Sequence, residues 1–243
     1  MPVVPLLILG VAIGALLGLL GAGGSILAVP GLIAVLGIPV SAASLSGAII
    51  VGSAAVAGII RRRATEPINV RAGLTFSATG LVGTVFGARV ASVIDERVIL
   101  YAFSLLILFA AVAMLQSSQP MKGTQRRPLQ SFLIASLVGA LTGLFGIGGG
   151  FMIVPALVLG MGITVQEASG ASLVAVALNS GIALLMRSDQ WSAIQVGPVA
   201  LVGIVAIAVS AFVAPLSGTI PAQTLRKGFA MFLVAVSIYL VVK

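Results

Sequence analysis

The sequence predicts an all-α, polytopic membrane protein built from two homologous halves, and three observations lead to this prediction. The first is composition, since 60% of the 243 residues are hydrophobic and only 7% are charged, whereas a soluble domain carries about 25% charged residues. The second is that long apolar runs alternate with short polar breaks, as in proteins with several membrane-spanning helices. The third is an internal repeat. Few aromatic residues and no strand-like alternation argue against an outer-membrane barrel.

Ten apolar segments are delimited by the polar breaks, and each is expected to be helical. The segments cover residues 3–20, 26–36, 42–60, 70–94, 98–115, 131–145, 151–161, 168–186, 194–214 and 222–242. Glycines separate the first segment from the second and the sixth from the seventh. Each half is therefore expected to contain one glycine-broken helix pair and three further transmembrane helices.

The two halves repeat with an offset of 125 residues. Residues 18–30 read GLLGAGGSILAVP and residues 143–155 read GLFGIGGGFMIVP. Over the longer windows 14–44 and 139–169, 16 of 31 positions are identical. A repeat of this length and register indicates duplicated structural units.

A single long hydrophilic stretch, QSSQPMKGTQRRPLQ, lies between the halves. We therefore predict an N-terminal repeat (1–116), a polar cytoplasmic linker (117–130) and a C-terminal repeat (131–243).

The glycine breaks predict a binding site. Non-helical backbone survives at membrane depth only against protein or water, so both breaks are expected to lie together near the midplane and to line a cavity. The helix after each break begins with amide groups that lack intrahelical partners and carry partial positive charge. Two such ends would bind a small oxyanion without a buried Lys or Arg. The predicted contacts are Gly21, Gly23, Gly24, Ser25, Gly146, Gly148, Gly149 and Gly150. The alternative is that these glycines serve close helix packing.

Small polar side chains on the following helices are expected to complete this site with neutral hydrogen bonds. These residues are Ser44, Ser46, Ser169, Ser172 and Asn179. The alternative for Asn179 is a hydrogen bond that joins two helices.

Several chemistries are excluded by the composition. The chain has no cysteine or histidine and only five acidic residues, which are scattered, so we expect no metal, no cofactor and no enzymatic site. The net charge of +8 is attributed to cytoplasmic loops and not to nucleic-acid binding. Arg61, Arg62 and Arg63 are read as a topology anchor, and Glu167 as a helix N-terminal residue rather than a proton relay.

Loop charge leaves two topologies open. If each broken pair is a hairpin, the halves are inverted and both termini lie outside; if each pair crosses once, the halves are parallel and both termini lie inside. The basic residues divide nine to four in either case, with the linker in the cytoplasm. We favour inversion, because inverted repeats are common around broken helices.

At these motifs the chain resembles the TauE/SafE sulfite exporter family. The resemblance rests on GLLGAGGSILAVPGL and GLFGIGGGFMIVPAL, on the segments rich in Ala and Ser that follow each of them, and on the linker between similar halves. It covers essentially the whole chain. It implies transport of small sulfur-containing anions such as sulfite, thiosulfate, sulfoacetate and other organosulfonates.

The sequence therefore predicts a secondary transporter of a small anion in the inner membrane. Its partners are a small anionic substrate and the lipid bilayer, with a proton or another ion as the coupled species if the anion gradient alone does not drive transport. An anion channel and a non-transporting membrane scaffold are the alternatives. The particular anion, the direction of transport and the oligomeric state stay open.

Overall fold

The computed structural model describes residues 3–21, 23–64, 68–91, 94, 96–116, 128–145, 150–160 and 163–242. The helices are α1 (Val3–Leu20), α2 (Gly24–Leu36), α3 (Val40–Arg62), α4 (Val70–Ala91), α5 (Glu96–Gln116), α6 (Pro128–Phe145), α7 (Gly150–Pro155), α8 (Val165–Met186), α9 (Val196–Val213) and α10 (Ala222–Val242). A π-helical segment, Ala156–Gly160, extends α7, and 3-10 segments occupy Ser188–Ala193 and Ala214–Gly218. The predicted all-α class is confirmed.

The order of the helices follows the sequence repeat. With the offset of 125 residues, α1 corresponds to α6 at both ends, and α3 corresponds to α8 to within one residue. The other three pairs agree to within a few residues when the π-helical segment is counted with α7. Residues 117–127, which contain most of the predicted linker, lie outside the described residues. The division into two repeats and a linker therefore stays a prediction.

The first broken pair is a hairpin. A β-carbon added to Gly24 would lie 2.5 Å from Leu17 Cγ, and one added to Gly31 would contact Leu9. Increasing numbers on α2 thus meet decreasing numbers on α1, so α2 turns back along α1 and does not continue it as a kinked helix. The turn is made by residues at the glycine break.

Each half packs its first helix against the other half. α1 lies on α9, and α6 lies on α4. Both contacts depend on small residues that let the backbones approach closely. On α1 these are Gly10, Gly14 and Gly18, which face Val202, Ala206 and Ser210 of α9; on α4 and α6 they include Gly83, Gly87 and Gly139. The two halves therefore interlock.

Helices α3 and α8 pack against each other and run antiparallel. Gly52 faces Ser180, whereas Gly58, further along α3, faces Leu173, which is earlier on α8. Two equivalent helices that run in opposite directions are the arrangement expected for inverted repeats. Ser210 Oγ of α9 donates to Ala54 O of α3 at 2.9 Å, which joins this central pair to the outer helices.

Four helices in the described chain are long and apolar enough to cross a membrane. They are Val3–Leu20, Ser41–Arg62, Val165–Met186 and Val196–Gly218. Large apolar side chains are exposed on several other helices, for example Leu105 and Phe109 on α5 and Leu137 on α6, as expected for a bundle that is surrounded by lipid. The chain is a multi-pass membrane protein.

We expect a methyl group to have opposite effects at two helical glycines. A β-carbon at Gly83 would overlap the carbonyl oxygen of Ser136, whereas one at Gly181 would meet nothing within 4 Å. Gly83→Ala should destabilise the fold by about 1–3 kcal/mol through overpacking. Gly181→Ala should leave stability unchanged or raise it by up to about 1 kcal/mol, since alanine favours the helix.

Thermal unfolding of the two purified variants in detergent measures the difference. Equal melting temperatures would contradict the close packing of α4 on α6.

Candidate functional site

The first glycine break has a backbone that only glycine adopts readily. Gly21 has φ 67° and Gly23 has φ 91°, both in the left-handed region where other residues are strained. Gly23 is the N-cap of α2, and no side chain caps this helix end. The amides of the first turn of α2 therefore depend on other partners. Gly21, Gly23, Gly24 and Ser25 are all buried.

The predicted serines on α8 lie against this break. Ser172 Oγ has two acceptors within reach, the carbonyl oxygen of Gly21 at 2.7 Å and that of Ser169 in its own helix at 2.8 Å. Ser169 Oγ is 3.4 Å from the carbonyl oxygen of Leu19. The carbonyls at the end of α1 lack intrahelical donors, and these hydroxyls supply them. In this conformation Ser169 and Ser172 thus bind the end of α1, and their protons do not point to a ligand.

Arg62 is buried beside the same serines. Its side chain is 1% exposed; Nη1 donates to Ser169 Oγ at 2.7 Å and Nη2 donates to Gln166 O at 2.8 Å. Arg62 is therefore not an exposed loop charge, because its guanidinium points into the protein; its contribution to the topology stays a prediction. Arg61 and Arg63 are exposed and fit the predicted topology anchor. The buried cation is also near the C-terminal end of α1, where positive charge is favourable.

Ser44 lies at the other end of the α3–α8 pair. Its Oγ accepts a hydrogen bond of 3.2 Å from Arg187 Nη1, and Arg187 follows the last residue of α8. Ser44 is only half-buried. The structure therefore does not bring Ser44 together with its repeat equivalent Ser169, although the sequence analysis placed both in one site.

Three predicted residues have a buried polar atom without a hydrogen-bond partner in the described structure. These atoms are Ser25 Oγ, Ser46 Oγ and Asn179 Oδ1. Ser46 is fully buried and Ser25 is 8% exposed. A buried polar group without a partner is costly, and in a native structure it requires an explanation such as a ligand or ordered water.

These three residues belong to helices that pack on one another. Ser25 is in the first turn of α2; Ser46 precedes Gly47, which faces Ala28 of α2. Asn179 precedes Ser180, which packs against Gly52 of α3. α3 thus packs against both α2 and α8, the helices that carry Ser25 and Asn179.

The second break is only partly described. Gly146, Gly148 and Gly149 lie outside the described residues, and Gly150 is the first residue of α7. Helices α2 and α7 are in contact, so the helices that follow the two breaks meet. The prediction that the two breaks themselves lie together and line a cavity stays a prediction.

Glu167 has the capping role that the sequence analysis assigned to it. Its carboxylate accepts from the Thr164 amide at 3.0 Å, and its own amide donates to Thr164 Oγ1 at 3.2 Å. This reciprocal capping box begins α8. Helix capping therefore accounts for an acidic residue at position 167, and no proton-relay role is needed to explain it.

Comparison with known families identifies the chain. The family described as "Sulfite exporter TauE/SafE" matches residues 6–240, which is nearly the whole sequence. The chain belongs to the TauE/SafE family. The predicted resemblance is thereby confirmed, and the fold is that of a family of membrane transporters.

Several curated relatives of this TauE/SafE protein carry the name "Probable membrane transporter protein". One from Xylella fastidiosa is 34% identical and covers 69% of the chain and 67% of its own length. One from Methanocaldococcus jannaschii is 32% identical and covers 63% of the chain and 61% of its own length. One from Haemophilus influenzae is 27% identical and covers 98% of the chain and 97% of its own length. No solved structure matches.

The roles of two arginines in this TauE/SafE chain were missed in the sequence analysis. It was not predicted that Arg62 is buried or that Arg187 donates to Ser44. A signal for them was present, because the offset of 125 residues relates Arg62 to Arg187 as it relates Ser44 to Ser169. Only contacts between the helices show that each arginine reaches the serine of the other half.

We expect alanine to be tolerated worse at Gly21 than at Gly37. Both glycines have similar positive φ values, 67° and 63°, so each substitution strains the backbone by about 1–2 kcal/mol. Only at Gly21 would the new methyl group overlap the Ser169 carbonyl, whereas the space around Gly37 is open. Gly21→Ala should cost about 1–3 kcal/mol more than Gly37→Ala. Thermal unfolding compares them; equal losses would contradict the close contact of the break with α8.

We expect the serines with and without partners to respond differently to alanine. Ser46→Ala removes a buried hydroxyl that has no partner in the part of the chain that the structure describes, so stability should be unchanged or raised by up to about 1 kcal/mol. Ser172→Ala leaves the Gly21 carbonyl without its donor and should cost about 1–3 kcal/mol. Melting temperatures of the two variants give the comparison. A larger loss in Ser46→Ala would mean that its hydroxyl has a structural partner.

Proposed function

We propose that this chain is a secondary transporter of a small sulfur-containing oxyanion, such as sulfite, thiosulfate or an organosulfonate. The anion binds where the half-helices α2 and α7 begin, and it is moved by alternating access between the two halves. The anion's own gradient drives transport, or a proton or another ion is coupled to it. Membership of a transporter family supports the general reaction.

One observation carries the proposed site: Ser25 Oγ and Ser46 Oγ are buried and have no hydrogen-bond partner among the described residues. Ser25 lies in the first turn of α2, a helix end that no side chain caps. Amide and hydroxyl donors at a helix N-terminus suit an oxyanion, because the helix dipole places partial positive charge there. Asn179 adds an amide group from α8.

A buried cation also lies near the proposed anion site. Arg62 is buried and donates to Ser169, whose neighbours on α8 contact the first break. A fixed guanidinium near the site lowers the cost of bringing a negative charge into a bundle that excludes water. The proposed site thus combines neutral donors on α2 and α3 with a nearby buried charge.

We propose that the halves are inverted, with the linker in the cytoplasm and both termini outside. The antiparallel α3 and α8 and the hairpin of α1 and α2 support this arrangement, since a hairpin returns the chain to the side from which it started. A reporter fused after Lys243 tests the orientation. A cytoplasmic C-terminus would contradict inversion.

Transport is tested with purified protein in liposomes and a panel of sulfite, thiosulfate, sulfoacetate and sulfate. We expect saturable uptake of at least one sulfur oxyanion and its stimulation by substrate on the opposite side. Single-channel currents would instead identify a channel, and no flux above that of empty liposomes would identify a non-transporting scaffold.

Substitutions on α2 and α3 test the proposed site in the same assay. Ser25→Ala and Ser46→Ala should each raise the apparent KM about tenfold, because each removes a hydrogen bond to a charged ligand. Ser53→Ala is the matched control, since the Ser53 hydroxyl already donates to Ile49 O of its own helix at 2.7 Å. Equal KM values in all three variants would refute this site while leaving the transport reaction intact.

A further inference from the structure

Two arginine–serine pairs join α3 and α8, and the sequence repeat relates one pair to the other. Arg62 of α3 donates to Ser169 of α8 at 2.7 Å, and Arg187 at the end of α8 donates to Ser44 of α3 at 3.2 Å. Adding 125 to the numbers of Arg62 and Ser44 gives Arg187 and Ser169. Because α3 and α8 are antiparallel, the equivalent pairs lie at opposite ends of this helix pair.

The two ends differ in burial although they are equivalent in sequence. Arg62 is 1% exposed and Ser169 is 0% exposed, whereas Arg187 is exposed and Ser44 is half-buried. The difference extends one turn into each helix. Leu173 is fully buried, but its equivalent, Ala48, is half-buried. The helix pair is therefore more buried at the Arg62 end than at the Arg187 end, although Leu45 and Ser46, which follow Ser44, are buried as well.

We propose that these two pairs are the gates of the transporter and that this structure is closed at the Arg62 end. This inference rests on the proposed transport function. A hydrogen bond from a charged group is stronger when it is buried than when it is exposed to water. The Arg62–Ser169 pair therefore holds α3 and α8 together more strongly at its end than the Arg187–Ser44 pair does at the other end. In the alternative conformation of the transporter, the Arg187–Ser44 pair is buried and the Arg62–Ser169 pair is exposed.

The chemistry of the gates suits an anionic substrate. A guanidinium carries several N–H donors in one plane and binds oxyanions with two parallel hydrogen bonds. An arriving sulfur oxyanion therefore competes with the serine hydroxyl for the arginine, and this competition loosens the gate. By the predicted topology, the Arg62 gate faces the cytoplasm and the Arg187 gate faces the outside.

Single cysteines can report each gate, because the native chain contains no cysteine. Leu173→Cys and Ala48→Cys place equivalent reporters one turn inside Ser169 and Ser44. Both are labelled with a polar maleimide in the full-length protein in nanodiscs, where reagent reaches both faces. We expect Ala48→Cys to react faster than Leu173→Cys in the unmodified background.

Arg62→Gln should then reverse this difference. We expect labelling of Leu173→Cys to increase about tenfold, because a buried hydrogen bond from a charged group is lost, and labelling of Ala48→Cys to decrease. Arg61→Gln, which removes a neighbouring exposed arginine, is the control and should change neither rate. Ser169→Ala removes the acceptor of the Arg62 hydrogen bond with a smaller change in side-chain size and should also increase labelling of Leu173→Cys. This second variant provides the test if Arg62→Gln does not fold.

An increase at both reporters would indicate loosened packing and would overturn the proposal, as would no change at either. The labelling needs no substrate, so its result is independent of the transport assay. Transport of a sulfur oxyanion without reciprocal labelling would refute the gates alone. Reciprocal labelling without flux of any anion in the panel would support the gates and refute the proposed substrate class.

Discussion

The central constraint on this structure is that α1 ends inside the bundle, where Leu20 and Gly21 are buried and the last carbonyl groups lack intrahelical donors. The hydroxyls of Ser169 and Ser172 on α8 meet this need by contacting the carbonyls of Leu19 and Gly21. A membrane protein tolerates a broken helix only where such partners exist. The N-terminal half is thus completed by a helix of the C-terminal half.

This constraint explains why the polar residues divide into two groups. Serines on α8 serve the end of α1 and receive the Arg62 guanidinium, and they are part of the framework. Ser25, Ser46 and Asn179 have buried polar atoms without a partner in the described chain, and they form the proposed binding site. A sequence shows both groups as small polar residues in apolar helices, and only the contacts separate them.

Much of the fold could be predicted from the sequence because hydrophobic runs and glycine breaks are local signals. The expected helices agree with the observed ones to within a few residues at most ends, and the Glu167 cap was recognisable from residue type and position. Which of the three consecutive arginines is buried was harder to predict, because Arg61, Arg62 and Arg63 are the same residue type.

Helical phase alone does not separate Arg61 from Arg62. Arg62 follows the buried Ala55 and Gly58 at spacings of three and four residues, but Arg61 follows the buried Ala54 and Gly58 at spacings of four and three, so both positions fit the buried face of α3. In an all-apolar helix the sequence gives little indication of which face is buried. The roles of Ser169 and Ser172 were unpredictable for a related reason, because their acceptors belong to a distant part of the chain.

The interlocking of the first and ninth helices has a consequence for how the protein is made. α1 leaves the ribosome well before α9, yet its glycine face is covered by α9. During synthesis this face is exposed to lipid or to the insertion machinery until α9 has been inserted. Assembly is therefore a late, post-insertion event, and a stalled or truncated product would present an unfilled glycine groove to quality-control proteases.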